Sequence, residues 1–405
     1  MTKKLGLYLH VPYCAALCSY CDFAKTANHT PDVTQKYLRT LAAHTRLWLN
    51  SPLTSRLTTN RISSVFFGGG TPSLFGDELA PILKVVRPQL DVGAEVSLEA
   101  NPDDLSPTKL QTWRELGVNR LSVGVQSFDA RALTLLGRSH DAGLARDRIG
   151  AALDRFPNLN VDLIYGWPGQ TADDWRQDLA EVLALGVPHL SLYCLTFESR
   201  TLLGRKSERG LIVPPPDDDA ATFYQIACEI LADAGYDHEE VSNWSKPGHS
   251  CGHNWLYWQD HHFVGVGAGA HGYLPSDDHY GVRYAYPRND RVFGDKVSEG
   301  ANEGLAAATC FGELAACLGA EVDSDRTAMS WLTELVGSGL RTTRGIAILS
   351  AVEHCGLRFV PTVSVEMALK TGTLRMDDRG VMTLKAEEWF REAAWCVEIL
   401  RSCVA

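Results

Sequence analysis

At 405 residues the chain exceeds one ordinary domain, and two or three are expected. With 45% apolar and 21% charged residues its composition is that of a folded globular protein, and it contains no apolar run long enough to predict a membrane span. A net charge of −11 argues against a general nucleic-acid binder, which needs a basic stripe to displace counterions from phosphates.

The first residues, MTKKLGLYLHVP, hold two lysines but no long apolar segment ending in a small-residue cleavage site, so they are expected to begin a mature cytoplasmic protein. From residue 5 to 196 a short apolar strand followed by an amphipathic helical stretch keeps returning. Strands are predicted over 5–11, 64–70, 95–102, 120–127, 160–166 and 189–195. Helical stretches such as 30–49, 77–86, 106–116 and 171–185 lie between them. Several open on a capping Ser, Thr or Asp, and two run into Gly-Val, a helix-exit signal. Parallel neighbours need helical crossovers, so six such units predict a parallel sheet; six are too few for a full barrel and predict a partial, open-sided one.

Strand parity indicates where chemistry sits. Val96, Leu98 and Ala100 alternate with Ser97, Glu99 and Asn101; Leu121, Val123 and Val125 with Ser122, Gly124 and Gln126; Val161, Leu163 and Tyr165 with Asn160, Asp162 and Ile164. A sheet buried on both faces reads apolar on both. One polar face, toward the carboxyl ends of three successive strands, marks the end where barrel active sites lie. A water-filled interior without function is the bland alternative, although a lone buried Glu or Asp needs a partner.

Residues 197–216 form a break ending in GLIVPPPDDD, and a helix is predicted over 217–234. The stretch 236–274 is rich in His, Trp, Tyr and Gly. Beyond about residue 304 the pattern is helical, at 311–319, 328–340 and 386–400, with a hairpin at 373–384. Helices with a hairpin suggest a small winged-helix-like module, whose 14 acidic and 10 basic residues over 301–405 argue against DNA binding. The expected division is therefore 1–200, a partial (βα)6 barrel of α/β class; 201–303, an α+β connecting region; and 304–405, the C-terminal module.

Three of the eleven cysteines fall within HVPYCAALCSYCDF at 10–23, as Cys14, Cys18 and Cys21 in C-x3-C-x2-C spacing. A disulfide cannot use three cysteines evenly. A structural zinc site needs a fourth ligand and usually has paired knuckles; His10 or Asp22 could complete one. The other reading is an iron–sulfur cluster held by thiolates. A four-iron cluster with three protein thiolates leaves one iron open to a small molecule, as an open position marks a catalytic metal. The remaining cysteines look ordinary: Cys310 and Cys317 share a core-face helical spacing, and Cys194, Cys228, Cys355, Cys396 and Cys403 show no ligand spacing.

The cysteine loop after the first strand and GGGTP at 68–72 after the second resemble the radical S-adenosylmethionine (SAM) superfamily. That resemblance implies a 4Fe–4S cluster whose open iron chelates SAM, and electron transfer that cleaves SAM to a 5′-deoxyadenosyl radical. The motifs YLHVPYC, FFGGGTPS, EANPDDL, NRLSVGVQSFD, LGRSHD, DLIYGWPGQT and HNWLYW follow in the order of the oxygen-independent coproporphyrinogen III oxidase (HemN) family, over roughly 8–273. The resemblance implies that Tyr8, Gly69 and Glu99 contact cluster-bound SAM. Gly70, Thr71, Gln126, Arg138 and Asp162 match positions that in the oxidase bind a second SAM.

Two departures resemble the family's heme chaperone (HemW) branch, which binds heme and delivers it to hemoproteins without the oxidase reaction. The oxidase has a further cysteine two residues after the triplet, where this chain has Phe23. It also has an N-terminal extension, whereas here seven residues precede Tyr8. The branch's H-N-x-x-Y-W motif is His253, Asn254, Tyr257 and Trp258. The resemblance makes His253 a candidate axial ligand of heme iron, since a neutral imidazole suits that role and aromatic rings pack on a porphyrin. Cys251, His249, His261 and His262 are rivals, and His271 in GAGAHGY falls near the SAM pocket. The expected cofactors are the cluster, SAM and heme. The expected partners are heme-accepting hemoproteins and an electron donor to the cluster, with no nucleic acid and no membrane span, and peripheral membrane association left open. Whether the chain is an enzyme stays open, coproporphyrinogen III oxidation being the alternative function.

Overall fold

The computed structural model describes residues 3–57, 61–276, 280–294, 308–323 and 326–404. Its first six strands are β1 (Leu5–Val11), β2 (Ile62–Gly69), β3 (Leu90–Ala100), β4 (Arg120–Gln126), β5 (Leu159–Tyr165) and β6 (His189–Cys194), each parallel to the next. The crossovers begin where the sequence supplies caps. The Thr30 hydroxyl accepts from the Val33 amide to open helix Pro31–Asn50, Ser106 opens Pro107–Glu115, and Thr171 with Asp174 forms a reciprocal capping box at Ala172–Ala184. β3 starts at Leu90 rather than 95, because Asp91, Val92 and Gly93 are exposed and carry no alternation to read.

The sheet continues past these six strands. Four more are β7 (Asp237–Glu240), β8 (Asn243–Ser245), β9 (His262–Val266) and β10 (His271–Leu274); β11 (Val282–Ala285) and β12 (Glu321–Asp323) complete it. The twelve strands run in the order β12-β11-β10-β9-β1-β2-β3-β4-β5-β6-β8-β7. β9 joins β1 in parallel, and every pairing beyond β9 and beyond β6 is antiparallel. The stretch expected as a connector thus supplies β7 to β11, and the edge strand β12 comes from the stretch expected as the C-terminal module. Helix Phe311–Cys317 and β12 also pack on the main core, through Phe311, Leu314 and Leu318. A separate core begins at Trp331 and includes Leu332, Val352, Leu374 and Met382. The boundary expected at 303/304 lies outside the described residues. The predicted C-terminal hairpin pairs Leu374–Met376 with Val381–Leu384.

The helix-facing residues Leu7, Leu9, Val65, Phe67, Leu98, Leu121, Val123, Val161 and Leu163 are fully buried. At about 25 cal/mol per Å² of apolar surface removed from water, burial of each such side chain stabilises the fold by roughly 1.5–3 kcal/mol. The opposite face curls around a chamber of about 210 Å³ lined by Tyr8, Phe66, Glu99, Ser122, Asp162 and Ser191 among others. Among the described residues no helix is long and apolar enough to cross a membrane.

Candidate functional site

The cysteine loop leaves β1 at its carboxyl end and is fixed by its own backbone. Thr26 N–H donates to Pro12 O at 2.7 Å, and Cys14 N–H donates to Thr26 O at 3.0 Å. Midway, Ser19 donates its N–H to Leu136 O at 3.1 Å and its hydroxyl to Leu135 O at 2.7 Å, while its carbonyl accepts from Leu203 N–H at 2.9 Å. All three thiols are free, Cys14 buried and Cys18 and Cys21 half-buried. They face one hollow of about 140 Å³ together with Lys25, Gly69, Thr71, Asn101 and Arg138. Burial raises the Cys14 pKa, and a hydrogen bond with Thr71 opposes the shift.

Zinc would need four groups converging on one point. Among the described residues no three His, Cys, Asp or Glu side chains do so. His10 has Tyr8 Oη on Nδ1 at 3.0 Å and Ala24 O on Nε2 at 2.8 Å, and Asp22 pairs with Arg200 at 2.7 Å. An iron–sulfur cube puts each thiolate on a separate iron, so three thiols spread around a common hollow fit it.

The glycine run lets two loops touch. A side chain on Gly70 would lie 2.8 Å from backbone atoms of Pro12 and Tyr13, and Gly70 N–H donates to Val11 O at 2.8 Å. Gly69 has φ +115°, and its N–H donates to Glu99 Oε2 at 3.0 Å. Glu99 and Asp162 share the floor of the hollow. Burial, then repulsion from Asp162, pushes Glu99 up to about 8, opposed by the Gly69 N–H. Burial pushes Asp162 up to about 6, opposed by hydrogen bonds from Asn160, Ser191 and Ser122. Gln126 sits at φ +73°, where the β4–β5 register slips after Gly124. A non-glycine residue in that conformation is strained and is held there by its surroundings.

Arg138 spans the hollow. Its Nη2 donates to Asn101 Oδ1 and Gly124 O, both at 2.6 Å, and Nη1 donates to Cys18 Sγ at 3.3 Å. Its Nε is buried with no hydrogen-bond partner among the described residues. A buried donor left unsatisfied calls for an acceptor supplied by something bound.

The H-N-x-x-Y-W segment forms helix Gly252–Trp258, whose first amides are taken by a carboxylate from β3: Glu95 accepts from Gly252 N–H at 2.9 Å and from His253 N–H at 3.1 Å. His253 is 1% exposed. Ser64 Oγ meets its Nδ1 and Tyr257 Oη its Nε2, each at 2.8 Å, and Phe66 stacks on the ring at 5.2 Å. Burial lowers its pKa to about 3, so the ring is neutral with both nitrogens committed. The candidate heme ligand thus lines the 210 Å³ chamber and not the larger space beyond it, whereas Tyr257 lines both. Of the rivals, Cys251 is buried against Glu95 and pushed up to about 12 by burial, His249 Nδ1 bonds Asn158 at 2.7 Å, and His261 Nδ1 accepts from Lys4 N–H at 3.3 Å. His262 packs near Tyr273, with ring centroids 5.8 Å apart.

Above Glu99 and Asp162 opens a cavity of about 830 Å³, of a size suited to a large cofactor. Tyr8, Tyr20, Phe23, Tyr193, Tyr257 and Phe263 are on its wall, and it shares Cys21, Phe23, Glu99, Gln126 and Asp162 with the cysteine hollow. Tyr8, Gly69, Gly70, Thr71, Glu99, Gln126, Arg138 and Asp162 are thus brought together with Cys14, Cys18 and Cys21, while His253 stands behind them. Residues that motif reading passed over include Ser19 and Thr26, which fix the loop, and Glu95, which caps the helix. Only the backbone contacts reveal them.

The radical SAM superfamily model matches residues 8–182. The chain is 40% identical over 281 residues to a protein of Mycobacterium tuberculosis (strain CDC 1551 / Oshkosh) described as "Heme chaperone HemW", covering 67% of this chain and 70% of that one. A protein of the same description from Lactococcus lactis subsp. lactis (strain IL1403) is 35% identical over 288 residues, 70% of this chain and 72% of that one. Among solved structures, coproporphyrinogen III oxidase (HemN) from Escherichia coli aligns over 98% of this chain and 90% of its own with a TM-score of 0.73. At 20% identity that likeness speaks for the fold.

Proposed function

We propose a heme-carrying role for this chain, which belongs to the HemW family of radical SAM proteins. It is a heme chaperone of the radical SAM type, binding a 4Fe–4S cluster, SAM and heme and handing heme to hemoproteins. Cys14, Cys18 and Cys21 hold the cluster, which when bound supplies an open iron for SAM and an electron for its cleavage. Tyr8, Gly69 and Glu99 face SAM; Gly70 and Thr71 keep the strand end against the loop; Gln126, Arg138 and Asp162 close the far side. The Arg138 Nε offers the donor that an acidic ligand group would take. Heme lies in the aromatic-walled cavity, and His253 assists by fixing Tyr257 through its Nε2 hydrogen bond.

The observation that carries this reading is the shared floor: the hollow of three free thiols has Cys21, Glu99, Gln126 and Asp162 in common with a cavity of about 830 Å³, a volume that admits a porphyrin. The proposed setting is the cytoplasm, where eleven free thiols stay reduced, with an electron donor to the cluster as a further partner. The test is anaerobic. Reconstituted full-length protein loaded with heme is mixed with a heme-free cytochrome, and the same preparation is incubated with SAM and coproporphyrinogen III. Heme is expected to appear on the cytochrome, with no decarboxylated porphyrinogen formed. Turnover of coproporphyrinogen III without heme transfer would replace the chaperone with the oxidase.

A further inference from the structure

We propose that His271 gives the axial nitrogen to heme iron in the large cavity and that Arg288 meets a heme propionate there. The assignment rests on the heme-binding reading above and adds the ligand to it. An imidazole ligates iron through an unprotonated nitrogen that reaches the ligand's space. The buried histidines around the barrel interior fail that requirement. His10 and His253 have partners on both nitrogens, and so does His189, which meets Arg120 at 2.7 Å on Nδ1 and Asn243 at 2.9 Å on Nε2.

His271 differs on each count. It opens β10, is exposed, and stands on the wall of the 830 Å³ cavity. Among the described residues no hydrogen bond reaches its ring, so neither nitrogen is committed to a partner. Partial burial, then the nearby Arg283 and Arg288, lower its pKa below the usual imidazole range, which favours the unprotonated ring. Its position is rigid. β10 pairs with β11, setting His271 opposite Ala285, and Ala270 O accepts from Tyr286 N–H at 2.9 Å. The turn before it is wedged against the cysteine loop, since a side chain on Gly269 would lie 2.5 Å from Ala24 Cβ.

Arg288 is the single Lys or Arg side chain on this cavity's wall among the described residues, and its guanidinium also binds Asp22 O. A dianionic porphyrin has no other fixed cation there to neutralise a propionate. Cys194 lines the same cavity and is the competing donor; burial raises its pKa, so it stays a thiol at neutral pH.

The test titrates hemin into full-length wild type and the His271→Ala, His253→Ala and Cys194→Ala variants, reading the Soret band, the spin state and the Kd. His271→Ala is expected to lose the imidazole-type spectrum and to bind at least ~10-fold more weakly, with added imidazole restoring the spectrum. Cys194→Ala is expected to keep the wild-type band position and Kd, and His253→Ala to keep the band position with a weaker Kd, because it loosens Tyr257 without removing the ligand. An unchanged spectrum and Kd in His271→Ala would overturn the assignment while leaving the heme-binding reading intact. Failure of wild type itself to take up hemin would overturn that reading.

Discussion

Residues 10–26 and 249–262 look alike in sequence, each a short stretch dense in His, Cys and aromatic residues, yet the fold uses them in opposite ways. In the first, main-chain bonds from Cys14, Ser19 and Thr26 tie down the loop, and the thiols are left facing a hollow. In the second, the side chains do the tying. Glu95 holds the amides of Gly252 and His253, and the His253 ring links Ser64 to Tyr257. Metal-ligating residue types become a ligand set only where other groups have already fixed the backbone. Where they fix it themselves, their lone pairs and protons are already committed.

The largest effect that sharpens this contrast is expected from His253→Ala in the cluster-free protein. The change opens a void beside Phe66 and leaves Ser64 Oγ and Tyr257 Oη without their buried partner. A loss of about 2–4 kcal/mol in urea-unfolding stability is expected. Unchanged stability with abolished heme uptake would break the contrast and return His253 to the ligand role.

A smaller effect separates the mouth of the barrel from the His253 helix by the sign of the pH dependence. Glu99 titrates at about 8 in the fold against 4.5 ordinarily, so the folded state holds its proton more tightly. Its contribution is full below pH 4.5 and is lost as pH rises through about 8. His253 titrates at about 3 against 6.5, so its contribution is full above pH 6.5 and is lost as pH falls toward 3. In Tm measured against pH on the cluster-free chain, Glu99→Gln is expected to flatten the alkaline decline and His253→Gln the acid decline. Were Glu99→Gln to change only the acid limb, the burial argument for the mouth would fail.

Much of the barrel and its mouth is legible in the sequence, for physical reasons. The inner strands keep a two-residue alternation, so the spacing of Glu99, Gln126 and Asp162 is enough to assign them to the polar face. The C-x3-C-x2-C spacing is enough to bring three thiols to one hollow after β1. The sheet edges are not legible. β7, β8, β10, β11 and β12 span only three or four residues each, and their identity as strands depends on neighbours far along the chain. Nor is the burial of His253, because the Glu95 that caps its helix lies 158 residues away in sequence. The unpaired Arg138 Nε is likewise a property of packing, invisible in LGRSHD.

The central claim, that Cys14, Cys18 and Cys21 hold an iron–sulfur cluster with one open iron, is tested most directly by counting metal. Full-length wild type and Cys18→Ser are reconstituted anaerobically with iron and sulfide in the presence of zinc, and iron, sulfide and zinc are assayed per chain. About four irons and about four sulfides per chain are expected in wild type, with both lost in the variant. One zinc per chain and no sulfide in wild type would contradict it.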